Sequence, residues 1–283
     1  VGALPPLAGK VARRHWRKVV ERATTETAYA GRVTAGEWRG TYFKGWKFPR
    51  PHAPASALSV SAQDWETEWP RLWERVTSGT LGAMKRGPSG EVWGGDVVLG
   101  GVPVEVVVKR PFRRYPYRYV TELGRGTRAW RAWRKAWMLT ARGIATAWPL
   151  AVMERRVGGL AVDQAIVCER VRGRQLDQCE LGELDGATRE LLFRRVGKVL
   201  RRIEETGLVH FDTKASNFMV RVDEERGPEV VLVDVDGVRG YSWRGEGIRR
   251  MEASLRRHQP RLVRGDIEAL WAGYAPFRRR GAK

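Results

Sequence analysis

The chain has 283 residues, 52 basic and 32 acidic, giving a formal charge of +20 beside a hydrophobic fraction of 42%. That length and apolar content support a folded body with a sizeable core, and no apolar run reaches the roughly 18 residues of a membrane-spanning helix. Two cysteines, Cys168 and Cys179, make no disulfide framework, and the opening Val1-Gly2-Ala3-Leu4-Pro5-Pro6 lacks the apolar core of a secretory leader; both fit a reducing cytoplasm. The surplus positive charge asks for a polyanionic partner, which could be nucleic acid, an anionic membrane face or a phosphorylated substrate.

Residues 1–79 read as an N-terminal extension. It holds a basic helix at about 11 to 27, an aromatic, glycine-punctuated stretch from Glu37 to Phe48, and a Pro/Ala/Ser linker at 49–59. Ser61 and Asp64 form a capping-box start, and Trp65, Trp69 and Trp73 follow at spacings of four, so one helix face carries three indoles. That face either docks on the main domain or lies on a membrane surface, and the docked reading is preferred. Three antiparallel strands are expected at 91–93, 96–99 and 102–109, separated by Gly-Gly turns at 94–95 and 100–101. A helix is expected over 128–142, capped by Thr127 and stopped by Gly143, with Trp130, Trp133 and Trp137 facing inward. Strands at 150–154 and 160–169 precede a helix at 184–206, then a loop, a hairpin and a helical tail.

The chemistry concentrates after that helix. His210-Phe211-Asp212-Thr213-Lys214-Ala215-Ser216-Asn217 has the form His-x-Asp-x-Lys-x-x-Asn, and Asp234, in Val231-Leu232-Val233-Asp234-Val235-Asp236-Gly237, follows Asn217 by 17 residues. Phosphoryl transfer from Mg-ATP needs such a set: a carboxylate to accept or orient the acceptor's proton, an amide oxygen and a second carboxylate for Mg²⁺, and a cation to steady the moving group. Asp212, Asn217, Asp234 and Lys214 fill those roles in that order. Asp236 either joins the metal site or caps the turn at Gly237, the turn being preferred.

This segment resembles the catalytic loop and metal-binding strand end of the protein-kinase-like superfamily. The resemblance implies an α+β, bilobal fold: an N-lobe with a small antiparallel sheet at 80–170, a short, mainly helical C-lobe at 171–283, and the extension before them. Lys85-Arg86-Gly87-Pro88-Ser89-Gly90-Glu91-Val92 is similar to the glycine-rich loop, with Lys85 at the first glycine, which implies that Gly87, Gly90 and Val92 close over ATP. In the same way Val106-Val107-Val108-Lys109 implies a phosphate-binding Lys109, and Cys168 to Gly173 a hinge where the Glu169 carbonyl and the Val171 amide meet adenine. His210 takes a structural role. The one acidic residue between Arg110 and Met153 is Glu122, so either Glu122 pairs with Lys109 or that ion pair is absent. Phe211 stands where an arginine is usual, and the 46 residues after Gly237 hold no Ala-Pro-Glu, too little chain for a peptide-binding lobe.

Among short-tailed relatives, the segments at 128–133 and 141–150 and the tail at 249–257 resemble the lipopolysaccharide core (Kdo/heptose) kinases, with the likeness running from about 81 to 275. The resemblance implies an ATP- and Mg²⁺-dependent kinase acting on a sugar hydroxyl of an anionic inner-core-like glycolipid, peripheral to the inner face of the inner membrane. Arg110, Arg113, Arg114, Arg118, Arg125 and Arg128, interleaved with Tyr115, Tyr117 and Tyr119, then either receive acceptor phosphates and carboxylates or form a solvated basic loop. The alternatives are a small-molecule kinase of aminoglycoside or choline type, an atypical protein kinase, and a pseudokinase or polyanion-binding scaffold. No motif for specific nucleic-acid binding is present.

Overall fold

The computed structural model describes residues 9–46, 58–113, 115, 117–223, 225–240 and 245–275, so most of the expected linker lies outside the described residues. The chain divides into two compact units, one of residues 16–138 and 147–170, the other of residues 1–15, 139–146 and 171–283.

The first unit contains, in chain order, α1 (Gly9–Thr24, whose first turns belong to the second unit), β1 (Ala30–Ala35), β2 (Trp38–Phe43), β3 (Gly45–Trp46), β4 (Leu58–Ser59), α2 (Ala62–Thr77), β5 (Gly82–Gly87), β6 (Gly90–Leu99), β7 (Val102–Pro111), α3 (Arg118–Arg125), α4 (Arg128–Thr140), β8 (Pro149–Val157) and β9 (Leu160–Glu169). Seven strands form one antiparallel sheet in the order β1-β2-β8-β9-β7-β6-β5. β1 and β2, which lie inside the stretch set aside as an extension, are therefore strands of the main sheet, β1 at its edge and β2 between β1 and β8, with Trp38 opposite Arg155 on β8. Alternating burial along β1 drives the docking: Val33 and Ala35 turn inward while Arg32 and Thr34 face water.

α2 starts as its residues dictate. The Ser61 hydroxyl accepts from the Asp64 amide at 3.2 Å, and the Asp64 carboxylate accepts from the Ser61 amide at 2.7 Å, so two end-of-helix donors are satisfied reciprocally. Its indole face packs inward: Trp65 and Trp69 are fully buried, and Trp38 meets Trp69 edge-on with centroids 5.0 Å apart. A second aromatic cluster joins Phe43, Trp133, Trp137 and Trp148 under α4, where the Trp133 Nε1–H donates to the Ala23 carbonyl at 2.7 Å.

The first expected Gly-Gly turn is not one. β6 runs unbroken through Gly94 and Gly95, and the bend falls at 88–89 instead. The glycines leave room for β5: a Cβ on Gly95 would sit 2.5 Å from Leu81 Cδ1, and one on Gly94 3.2 Å from Met84 Sδ.

The second unit contains β10 (Arg174–Gln175), α5 (Gly186–Glu205), β11 (Leu208–His210), β12 (Phe218–Asp223), β13 (Gly227–Leu232), β14 (Val238–Gly240), α6 (Glu246–His258) and α7 (Arg264–Tyr274). β12 and β13 form the hairpin, with β10 beside β12, and β11 pairs with β14. α5, capped by the Asp185 carboxylate on the Ala187 and Thr188 amides, packs against α7 and β13. The starts of α5 and α7 are locked by Arg189, whose Nε and Nη2 each reach an Asp266 oxygen at 2.6 Å with side-chain exposures of 17% and 3%. Among the described residues no helix is long and apolar enough to cross a membrane.

Breaking this lock leaves Arg189 charged and largely buried, so Asp266→Ala should lower unfolding free energy by about 3 kcal/mol in urea titrations. A loss below about 1 kcal/mol would show that the pair is screened like a surface ion pair.

Candidate active site

The site in the second unit is assembled from two strand ends and a loop. β11 delivers His210, the loop after it carries Asp212 and Lys214, and a single 3-10 turn at Ala215–Asn217 feeds β12. β13 brings the chain to Asp234, and β14 closes back onto β11 with Val238 opposite His210. The Val233 amide donates to the Asn217 carbonyl at 2.9 Å, so the two chemistry-bearing segments are bonded through backbone as well as side chain.

His210 is the brace between them. Its Nε2 lies 2.7 Å from the Asp234 carbonyl and must donate there, because a carbonyl only accepts; Nδ1 then accepts the Asp212 amide at 3.1 Å. One neutral imidazole, in one tautomer, thus holds both aspartates by their backbones. Gly237 makes room for it: a Cβ there would fall 2.8 Å from His210 Cε1 and 2.9 Å from the Asp212 nitrogen.

The side chains converge on Asp212. Lys214 Nζ lies 2.8 Å from Oδ1, and Asn217 Nδ2 donates to the Asp212 carbonyl at 2.7 Å, with Oδ2 at 3.4 Å. The Lys214–Asp212 pair is 63% and 44% exposed, so water screens it and it adds little to stability. Such a pair can exchange partners when an anionic group arrives. The Asn217 amide nitrogen is fixed on a carbonyl, which identifies its oxygen as the end left for other partners. The Asp236 amide donates to Asp234 Oδ1 at 3.0 Å, and the Val238 amide to the Val235 carbonyl at 3.0 Å, so Asp236 lies in the turn through its backbone. An amide oxygen and a carboxylate are hard donors of the kind Mg²⁺ takes when phosphates and water complete its shell, and this pair fits that ion.

The tail contributes residues that the loop motif does not reveal. Arg250 on α6 donates to the Phe211 carbonyl at 2.8 Å, the Ser254 hydroxyl accepts the Ala215 amide at 3.0 Å, and the Thr213 hydroxyl donates to the Gly247 carbonyl at 2.7 Å. Within the Arg-rich run at 249–257, which is the sequence signal, Arg250 and Ser254 clamp the loop, while Arg256 pairs with Glu252.

The other candidate residues lie elsewhere. Val171 opens a stretch of the second unit, while Gly87, Gly90, Val92, Lys109 and Glu169 belong to the sheet of the first. There Gly87 and Gly90 face each other across the β5–β6 bend, Val92 is opposite Lys109, and Val106, on the same strand as Lys109, is opposite Glu169. Glu122 is buried with Arg113 at 2.7 Å, with exposures of 8% and 7%, so its ion-pair partner is an arginine. Arg110 forms a two-point bond to Asp163 at 3.2 and 2.7 Å, and Arg128 donates to the Ser89 carbonyl at 3.0 Å. These members of the basic loop hold the first unit together; Arg114 lies outside the described residues, as does the Arg118 side chain.

The family model for lipopolysaccharide kinase (Kdo/WaaP) matches residues 112–274, which takes in the loop, both strand ends and the tail but not Gly87, Gly90, Val92 or Lys109. No individual curated protein matches the chain. With an antiparallel sheet in one unit, a mainly helical second unit and a match over more than half its length, the chain belongs to the lipopolysaccharide kinase (Kdo/WaaP) family of the protein-kinase-like superfamily and is a kinase, a phosphotransferase enzyme.

Proposed function

We propose that the enzyme transfers the γ-phosphoryl group of ATP to a sugar hydroxyl of an anionic, lipopolysaccharide inner-core-like glycolipid. The observation that carries this reading is the Asp212, Lys214, Asn217 and Asp234 constellation fixed by one histidine. In the reaction the acceptor oxygen forms a bond to the γ-phosphorus as the bond to the β–γ bridging oxygen breaks and ADP leaves. The hydroxyl proton passes to the Asp212 carboxylate and from there to solvent. Lys214, already within reach of that carboxylate, turns to the transferring phosphoryl group. Asn217, through its amide oxygen, and Asp234, through its carboxylate, would hold Mg²⁺, whose part when bound is to neutralise charge on the phosphates.

For the nucleotide, Lys109 contacts phosphates, Gly87, Gly90 and Val92 cover them, and the Glu169 carbonyl and Val171 amide read adenine. The family match and the charge of +20 support this acceptor class, a phosphorylated, carboxylated lipid on an anionic leaflet at the cytoplasmic side of the inner membrane. Juxtamembrane basic residues contribute about 1 kcal/mol each to such contact.

Labelled γ-phosphate from Mg-ATP offered to inner-core glycolipid, an aminoglycoside, choline and a basic protein should appear on the glycolipid alone. Label on any other acceptor alone would overturn the acceptor class, and none on any, with ATP still bound, would favour a non-catalytic scaffold. Asp212→Asn should lower turnover by about a thousandfold while ATP affinity changes less than about threefold, because the carboxylate acts on the acceptor. Near-normal turnover would remove Asp212 from the mechanism. Gly237→Ala should cost about a hundredfold in turnover by pushing His210 and the Asp212 backbone apart, with an unchanged far-ultraviolet dichroism spectrum. Wild-type turnover would mean that the brace does not set the geometry.

A further inference from the structure

A cavity of about 350 Å³ opens in the first unit, lined by Thr24, Gly126, Trp130, Arg134 and Arg156. None of the residues proposed for phosphoryl transfer lines it.

Both charged residues that line it are arginines. Arg134, on α4, brings five N–H donors. Nη2 reaches the Arg125 carbonyl at 3.4 Å, and Nε is buried without a hydrogen-bond partner. Burial first, then the like charge of Arg131, pulls the Arg134 guanidinium below its ordinary range, and Glu154 opposes them. That carboxylate is already engaged: it accepts from the Thr127 hydroxyl and from Arg156 Nε and Nη2 at 3.0 and 2.8 Å. Arg131 is turned to the Gly126 carbonyl at 2.7 Å. Arg134 therefore lies near a single buried carboxylate that Arg156 already engages at two points, and arginine does not shed its charge by losing protons.

The wall is shaped to keep Arg134 in place. At Gly126, with φ of +74°, a Cβ would come within 2.3 Å of Arg134 Nη2, so the absent side chain lets the guanidinium lie against the backbone that leads into α4. The volume exceeds what a bare ion fills and falls at the lower end of small-molecule sites, roughly 300–1,000 Å³. Trp130 offers an indole beside the two guanidiniums, the arrangement that suits an anion carried on a ring or short chain.

We propose that this cavity is a second ligand site, which binds the phosphate monoester group of a small molecule or lipid headgroup through Arg134 and Arg156, with the rest of the ligand against Trp130. A phosphate monoester presents the anionic oxygens that guanidinium forks bind, whereas a neutral sugar does not.

The test is calorimetric titration of the full chain with glucose 6-phosphate, with glucose, and with phosphatidylcholine vesicles containing or lacking phosphatidic acid. Arg134→Gln and Lys109→Met are run alongside; the second weakens the proposed nucleotide phosphate contact and so separates the two sites. Glucose 6-phosphate should bind, glucose should not, affinity should fall at least tenfold in Arg134→Gln, and Lys109→Met should stay within twofold of wild type. Binding confined to phosphatidic acid vesicles and lost in Arg134→Gln would support the site and assign the monoester to a lipid. Loss in Lys109→Met with retention in Arg134→Gln would overturn the proposal, as would absence of binding to both probes. Should Arg134→Gln not fold, the arginine Nε–H resonances of the ¹⁵N-labelled wild-type chain decide. A shift of the Arg134 signal on adding whichever probe binds supports the site, and an unmoved signal overturns it.

Discussion

The hydrogen bonds of His210 are the constraint on which the site depends. The strand end that carries Asp234 and the loop that carries Asp212 are more than twenty residues apart in sequence, yet one imidazole bonds the backbone of both. Because the ring donates from Nε2 and accepts at Nδ1, it must be neutral and in a single tautomer to make both bonds. Placement of the two aspartates by backbone is thereby separate from their side-chain contacts, Asp212 with Lys214 and Asp234 with the Asp236 amide. This division between backbone fixation and side-chain chemistry is what a phosphoryl-transfer site needs, since the protein contributes chiefly position and charge.

Around that brace the second unit adds successive supports. Gly237 yields space for the ring, Asn217 ties the loop's carbonyl, and α6 clamps the loop from the other side through Arg250 and Ser254. α6 is in turn set within a helical body whose α5 and α7 are pinned by the Arg189–Asp266 fork. The tail is thus a structural extension of the loop at 210–217.

The loop and strand end were legible in the sequence because their residue types are rare in that combination and their spacing is short. The same holds for α2, where Ser61, Asp64 and three indoles at helical spacing sufficed. What remained hidden is non-local. Nothing in residues 38–43 announces that they would pair with β8, more than a hundred residues later, and bring β1 with them, so both read as an extension. Gly94-Gly95 carries the composition of a turn, but the same two residues also serve a strand that must pass under Leu81 and Met84. Arg110 and Arg113 read as part of a basic loop that either faces a ligand or is solvated, and their partners, Asp163 and Glu122, become neighbours only through the fold. Charge summed along a sequence does not reveal which guanidiniums are neutralised inside the protein, and Arg134, left over in its cavity, is the converse case.

The central claim is that the loop at 210–217 and the strand end at 234 act as one site. A double-mutant cycle with Asp212→Asn and Asp234→Asn, measured as the single-turnover rate of phosphoryl transfer to the glycolipid, tests it most directly. If the two aspartates act as a unit, the double variant loses little more than the more damaged single variant. Losses that multiply across the cycle would show two independent contributions and contradict the account.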